Sequence, residues 1–159
     1  MEHFSYQQIL QALKKTQEEF RFPGTKLELI SEERFPDIFK AVEECFLTDE
    51  PLGKSMEMSW SSDAENLWLS ALRYRMSLMA VNEKNGDIVG FRVIRVTKQS
   101  DHFNNDEIKD ENVRKIVDLL EYSSKNFNFF ANYDISEMFE FFGLGVIPEY
   151  RRHGLGTQV

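Results

Sequence analysis

Met138-Phe-Glu-Phe-Phe-Gly-Leu-Gly-Val-Ile-Pro148-Glu-Tyr-Arg151-Arg-His-Gly154-Leu-Gly156 decides how the chain is read. Met138 to Val146 is almost wholly apolar or aromatic, the pattern of a strand buried on both faces. Pro148 has no N–H for a ladder and ends that strand. The sequence then turns basic and glycine-rich at Arg151-x-x-Gly154-x-Gly156, where a new helix is expected to begin. A strand, a tight turn and a helix start aim several backbone N–H groups at one point, an arrangement suited to phosphate. Two commoner phosphate motifs are excluded. Gly143-Leu-Gly145-Val-Ile-Pro148 mimics G-x-G-x-x-G, but Pro stands where the third glycine belongs and the glycines lie inside the strand. The pattern G-x-x-x-x-G-K-[ST] occurs nowhere. A plain surface turn with solvated arginines would explain neither the glycine spacing nor three successive basic-type side chains in an acidic chain.

The chain has 159 residues, enough for one domain with a sizeable core. Fourteen phenylalanines and 42% apolar residues mark it as globular and not disordered. With 19 basic against 27 acidic residues the net charge is −8, which disfavours nucleic acid or an anionic membrane and suits a cationic ligand. Arg151-Arg152-His153 is then a local positive island fitted to a polyanion. Cys45 is the single cysteine, so no internal disulfide forms and a reducing compartment is expected, with the cytoplasm as default. Cys45 falls on an apolar helix face and reads as a small core residue, not a nucleophile. His3, His102 and His153 are scattered without ligand spacing, so no metal is expected. No apolar run reaches the length of a membrane span, and no signal-peptide segment opens the chain.

Along the chain, Ser5-x-x-Gln8 is a capping box opening a helix with Tyr6, Ile9, Leu10 and Leu13 on one face, closed by Phe20, Phe22 and Pro23-Gly24. Residues 1–24 are read as a helical extension without chemistry of its own. Thr25 to Ile30 alternates as a strand. Ile38, Ala41, Val42, Cys45 and Phe46 keep helical spacing until Glu50, which the following Pro51 pushes out of the helical region. A Met-rich connector runs from Gly53 to Ser61. Ser62-x-x-Glu65 is read as a capping box opening a helix with Ala64, Leu67, Trp68, Ala71 and Leu72 inward. Ser77 to Asn82 and Asp87 to Val96 flank Asn85-Gly86, the clearest hairpin in the sequence. A polar loop over residues 99–111 precedes a helix with Val113, Ile116, Val117 and Leu120 inward, and residues 126–133 suggest a short aromatic helix. Periodicity alone yields only an α/β or α+β class.

The pattern V-x-P-x-x-R-x-x-G-x-G after a strand resembles the acetyl-CoA motif of the GNAT acetyltransferase superfamily, and Phe46-Leu-Thr-Asp-Glu50-Pro-Leu52 resembles the F-x-x-D-E-P-L signature of invertebrate-type arylalkylamine N-acetyltransferases. The hairpin also sits where that family has it, and the resemblance spans about Thr25 to the last residue. It implies the GNAT acyl-CoA N-acyltransferase fold, of which residues 25–159 would form the N-terminal half: a mixed, mostly antiparallel central sheet flanked by helices. In that family the chain continues through the rest of the helix, a splayed strand, a further helix and closing strands, which carry the hydroxyl that reprotonates the thiolate. None of these can be assigned here, so the chain by itself is expected to be a poor catalyst.

The resemblance implies an enzyme that moves acetyl from acetyl-CoA to a primary amine, an arylalkylamine, by direct attack in a ternary complex. It assigns the general base to Glu50, which otherwise reads as an acidic residue in a Pro-terminated turn. Backbone groups of Leu144, Gly145 and Val146 would pair with the pantetheine and polarise the thioester carbonyl. Gly143 and Gly145 would allow a bulge and close approach of the ligand. Arg151, Arg152, His153, Gly154, Leu155 and Gly156 would hold the pyrophosphate. Met56, Trp60 and Phe142 are candidate walls of an arylalkyl pocket, although each also reads as aromatic or apolar core. Two alternatives stay open: protein amines or polyamines as acceptors, or a non-catalytic GNAT-like module that dimerises through an exposed sheet edge.

Overall fold

A computed structural model describes residues 4–101, 105–125 and 127–159. His3, His102 and Asn126 lie outside the described residues. The alternating and β-branched stretches pair as the sequence suggests: β1 (Thr25–Leu29), β2 (Leu78–Asn82), β3 (Ile88–Lys98) and β4 (Glu137–Val146) form one four-stranded sheet in the order β1-β2-β3-β4. Every pairing among the described residues is antiparallel. Asn85-Gly86 turns β2 into β3, with Gly86 at φ 74°, a conformation that favours glycine.

Helix α2 (Phe35–Val42) and α4 (Ser62–Leu72) cover one face of the sheet, where Ile38, Val42, Trp68, Ala71 and Leu72 meet Met79, Val81, Phe91 and Val93. A smaller core on the opposite face joins Leu27, Ala80, Val89 and Leu155, with Leu13, Phe20 and Phe22 of the N-terminal arm packed against it. α1 (Tyr6–Glu19) has the reciprocal capping box between Ser5 and Gln8, but it buries no residue fully, and Tyr6 and Leu10 stay exposed. Helix α5 (Glu111–Ser124) buries Val113 and Val117 and leaves Leu120 exposed, contrary to the inward position expected for it. The aromatic segment near residue 130 folds as α6 (Phe129–Tyr133).

Two further features depart from the sequence reading. The helix through Cys45 widens into a π-helical turn, Glu43–Leu47, before α3 (Pro51–Ser55) begins inside the stretch read as a connector. The second is β4, expected to be buried on both faces. It is the sheet's edge strand, and Phe139, Phe141 and Leu144 are exposed while Gly143 and Gly145 are buried. Apolar content alone does not distinguish a central strand from an edge strand whose outward residues are also large and apolar.

The inner side of β4 explains its glycines. The Trp68 ring meets Phe46, Phe91 and Phe142 edge-on at centroid distances of 5.1, 6.0 and 5.1 Å, geometry worth about 0.5–1.5 kcal/mol per pair beyond burial. A Cβ on Gly143 would lie 2.5 Å from Trp68 Cη2, and one on Gly145 would overlap the Phe91 ring. The register against β3 shifts between Val93 and Ile94, where Phe142 bulges between Phe141 and Gly143. We expect Gly145→Ala to cost about 1–3 kcal/mol through overpacking. Urea unfolding reads this directly; an unchanged midpoint would mean that the Phe91 ring does not rest on the strand.

Candidate active site

The strand end, the basic turn and the acidic turn after α2 converge on one guanidinium. Arg151 Nε donates to the Val146 carbonyl at 2.8 Å, Nη1 to Asp49 Oδ2 at 2.6 Å and Nη2 to the Cys45 carbonyl at 3.0 Å. Glu50, next to Asp49, adopts extended backbone (φ −66°, ψ 130°) as its position before Pro51 requires, and it caps α3. Its Oε2 accepts the Gly53 N–H at 2.7 Å. Glu50 is half-buried, and its other oxygen has no partner among the described residues. A carboxylate held at one oxygen and open at the other can accept a proton without losing its place.

Ladder alternation sorts the three candidates on β4. Ile147 N–H donates to the Val89 carbonyl at 3.0 Å, and Gly145 faces Phe91 in register. In an antiparallel ladder the polar groups of Gly145 therefore point toward β3, while those of Leu144 and Val146 point to the outer edge. No strand among the described residues pairs with that edge. Leu144 thus presents its N–H and carbonyl outward and Val146 its N–H, the Val146 carbonyl being taken by Arg151; Gly145 contributes its missing side chain.

The glycine turn is a bare row of amides. The N–H groups of Arg152, His153, Gly154, Leu155 and Gly156 make no short, well-directed hydrogen bond to a protein acceptor among the described residues. Arg152 (φ 63°) and Gly154 (φ 87°, ψ 1°) both take left-handed backbone, the kind of conformation that gathers successive N–H groups into an anion-binding concavity. The helix expected here is only a 3₁₀ turn, Leu155–Thr157. Leu155 itself is buried in the smaller core, so only its backbone can face a ligand. Arg152 and His153 are exposed, and the Arg152 side chain has no partner among the described residues. Gly156 has room: a Cβ there would meet Val146 Cγ2 at 3.6 Å and Leu144 Cδ2 at 3.8 Å, ordinary contacts.

The pocket candidates are not brought together as one wall. Trp60 stacks obliquely on Phe39 at 5.3 Å and bridges the main core to the Val113 cluster. Phe142 lies edge-on to Trp68 with the Arg95 guanidinium 5.0 Å above its ring. The Met56 carbonyl accepts from Asn112 Nδ2 at 3.0 Å, which fastens the connector to α5. A cavity of about 360 Å³ lies elsewhere, lined by Phe4, Ile9, Arg73, Tyr74, Met76, Val96 and Glu137. Sequence reasoning missed one group at this site, Asp49. The signal was available in its place beside Glu50 and in the lone basic island at 151–153 that it could pair with.

No protein-family model and no curated protein matches the chain. Among solved structures it is similar to arylalkylamine N-acetyltransferase 2 from Aedes aegypti, with a TM-score of 0.78, 27% identity, 84% of this chain covered and 66% of that one. It is also similar to a putative arylalkylamine N-acetyltransferase 7 of the yellow fever mosquito, with a TM-score of 0.75, 28% identity and coverage of 82% and 56%. A polyamine N-acetyltransferase of Drosophila melanogaster shares the fold at a TM-score of 0.68 and 14% identity, with 83% and 65% covered. The chain spans less than two thirds of the length of each of these relatives.

Cys45 lies within this bracket, and burial pushes its thiol up to about 11, against the opposing pull of Arg151. Below that pH it stays a neutral thiol and a poor nucleophile. Iodoacetamide labelling followed by mass spectrometry is expected to be slow at pH 8, to accelerate toward pH 11, and to become ordinary in denaturant. Rapid labelling of the folded protein at pH 7 would contradict this burial.

Proposed function

We propose that this chain, which carries the GNAT fold and is arylalkylamine N-acetyltransferase-like, acts in the transfer of acetyl from acetyl-CoA to a primary amine. One observation carries the reading: a row of turn amides without short hydrogen bonds adjoins a strand edge with outward polar groups, and the same guanidinium ties both to the turn that bears Glu50. The amides of residues 152–156 and the Arg152 side chain would receive the pyrophosphate, where charge-assisted hydrogen bonds contribute about 1.5–3 kcal/mol each. The outward groups of Leu144 and Val146 would pair with the pantetheine and orient the thioester carbonyl.

An alkylamine has a pKa near that of lysine, about 10, so only about one molecule in a thousand is nucleophilic at pH 7. Glu50 would take the ammonium proton, directly or through water. The neutral nitrogen then attacks the thioester carbon in the ternary complex; the C–N bond forms as the C–S bond breaks, and coenzyme A leaves as a thiolate that takes up the proton the nitrogen sheds. The Phe46–Leu52 signature favours an aromatic acceptor over a polyamine, although Trp60, Met56 and Phe142 do not form one wall for it, and a panel of tryptamine, dopamine and spermine separates the two. A reducing, cytoplasmic location suits the free Cys45 thiol. A second reading rests on the unpaired edge of β4 with its exposed Phe139 and Phe141: self-association through that edge without turnover, which sedimentation across a concentration series would reveal.

Two outcomes test the main reading. Glu50→Gln should lower kcat by about 10²- to 10⁴-fold below the amine pKa and leave it rising with pH toward that pKa as the free-amine fraction grows; a profile identical to wild type removes Glu50 from the role. Gly156→Ala should leave the melting temperature unchanged yet weaken acetyl-CoA binding about 10- to 100-fold, because the added methyl crowds the phosphate away from the retained N–H and costs one charge-assisted hydrogen bond. Unaltered affinity in calorimetry would count against the phosphate cradle.

A further inference from the structure

The basic island at 151–153 contains two arginines in opposite states. Arg152 is exposed and free to meet a ligand, whereas Arg151 already spends three of its five N–H donors inside the protein. The acceptors it has taken belong to three separate pieces: the last residue of β4, the π-helical turn after α2, and the acidic turn beside Glu50. The π turn makes one of these bonds necessary. Both Asp49 N–H and Glu50 N–H go to the Phe46 carbonyl, at 3.1 and 2.7 Å. The Cys45 carbonyl is bypassed by them, and Arg151 Nη2 supplies its donor.

We infer that Arg151 is a positioning residue, not a phosphate ligand: it sets the turn bearing Glu50 against the strand edge formed by Leu144 and Val146. This rests on the acetyltransferase reading above. A planar fork can satisfy two carbonyls and a carboxylate at fixed angles, which an ammonium cannot. Reaching out to a phosphate would cost it those partners. Division of labour follows within the motif. Arg152 meets the phosphates; Arg151 fixes the distance between base and thioester.

Two acetyl donors separate the roles, because S-acetyl-pantetheine lacks the nucleotide phosphates of acetyl-CoA. Arg151→Ala and Asp49→Asn are both expected to lower kcat by about 10- to 100-fold, the penalty of a misplaced catalytic group, and by the same factor with either donor. Arg151→Lys should not restore the rate. Arg152→Ala should instead raise KM for acetyl-CoA alone. The inference is overturned if Arg151→Ala raises KM for acetyl-CoA while sparing acetyl-pantetheine, if Asp49→Asn is silent, or if Arg151→Lys rescues. Thermal unfolding of the Asp49→Asn, Arg151→Ala and double variants gives a reading that needs no turnover. The double variant should melt no lower than Arg151→Ala alone; additive losses would show that the two side chains act separately. Should Arg151→Ala fail to fold, Asp49→Asn with the two donors decides the matter. Absence of wild-type turnover together with a non-additive cycle would sink the acetyltransferase reading and the kinetic role of Arg151, leaving the bracket as architecture alone.

Discussion

The rest of the structure depends on two aromatic rings laid against a strand that has no side chain beneath them. Trp68 and Phe91 occupy the space that Cβ atoms on Gly143 and Gly145 would need. This packing draws β4 onto the core from one side only. Among the described residues the strand has no second neighbour, and its outer edge keeps backbone donors and acceptors for something else. An unpaired edge is ordinarily an aggregation hazard. Here the bulge at Phe142 and the turn beyond Pro148 limit how much flat edge is available. Glycine at these positions serves inner packing first, and any room for a ligand on the outer side is a consequence.

Much of this frame was legible because local rules agreed with one another. The hairpin around Asn85-Gly86, the capped α1 and the Pro51 stop each follow from one or two residues acting on nearby backbone. The acidic turn and the basic motif were likewise visible as patterns. What the pattern did not carry was anything decided between distant segments. Whether β4 lies in the middle of the sheet or at its edge depends on what pairs with it, and apolar residues such as Phe139 and Phe141 look the same in both cases. The π turn at Glu43–Leu47 was invisible because its residues keep good helical spacing up to Cys45. Leu120 matched the helical period but lies where no described element of the fold covers it.

The candidate site followed the same division. Residues that act through backbone geometry, Gly154 and Gly156 among them, were found by spacing. The partition of the charges was not, because spacing cannot tell a guanidinium that meets solvent from one that is already engaged. Arg151 and Arg152 are adjacent and chemically identical in the sequence. Only the fold distinguishes them, through partners 102 and 106 positions away.

That distinction also separates the two carboxylates of the acidic turn. Asp49 pairs with Arg151 and serves as an anchor, while the Gly53 N–H steadies Glu50 by a single oxygen. The ion pair is partly exposed, so its own contribution to stability is small, on the order of 0–1 kcal/mol. Its value lies in direction. One guanidinium holds the carboxylate, a carbonyl of the π turn and the end of β4, so the free oxygen of Glu50 and the outward groups of Leu144 and Val146 belong to one rigid arrangement. A turn held only by surface charge would drift relative to the strand. A turn held by a fork that also bonds the strand can drift only by breaking the fork's bonds on one side or the other.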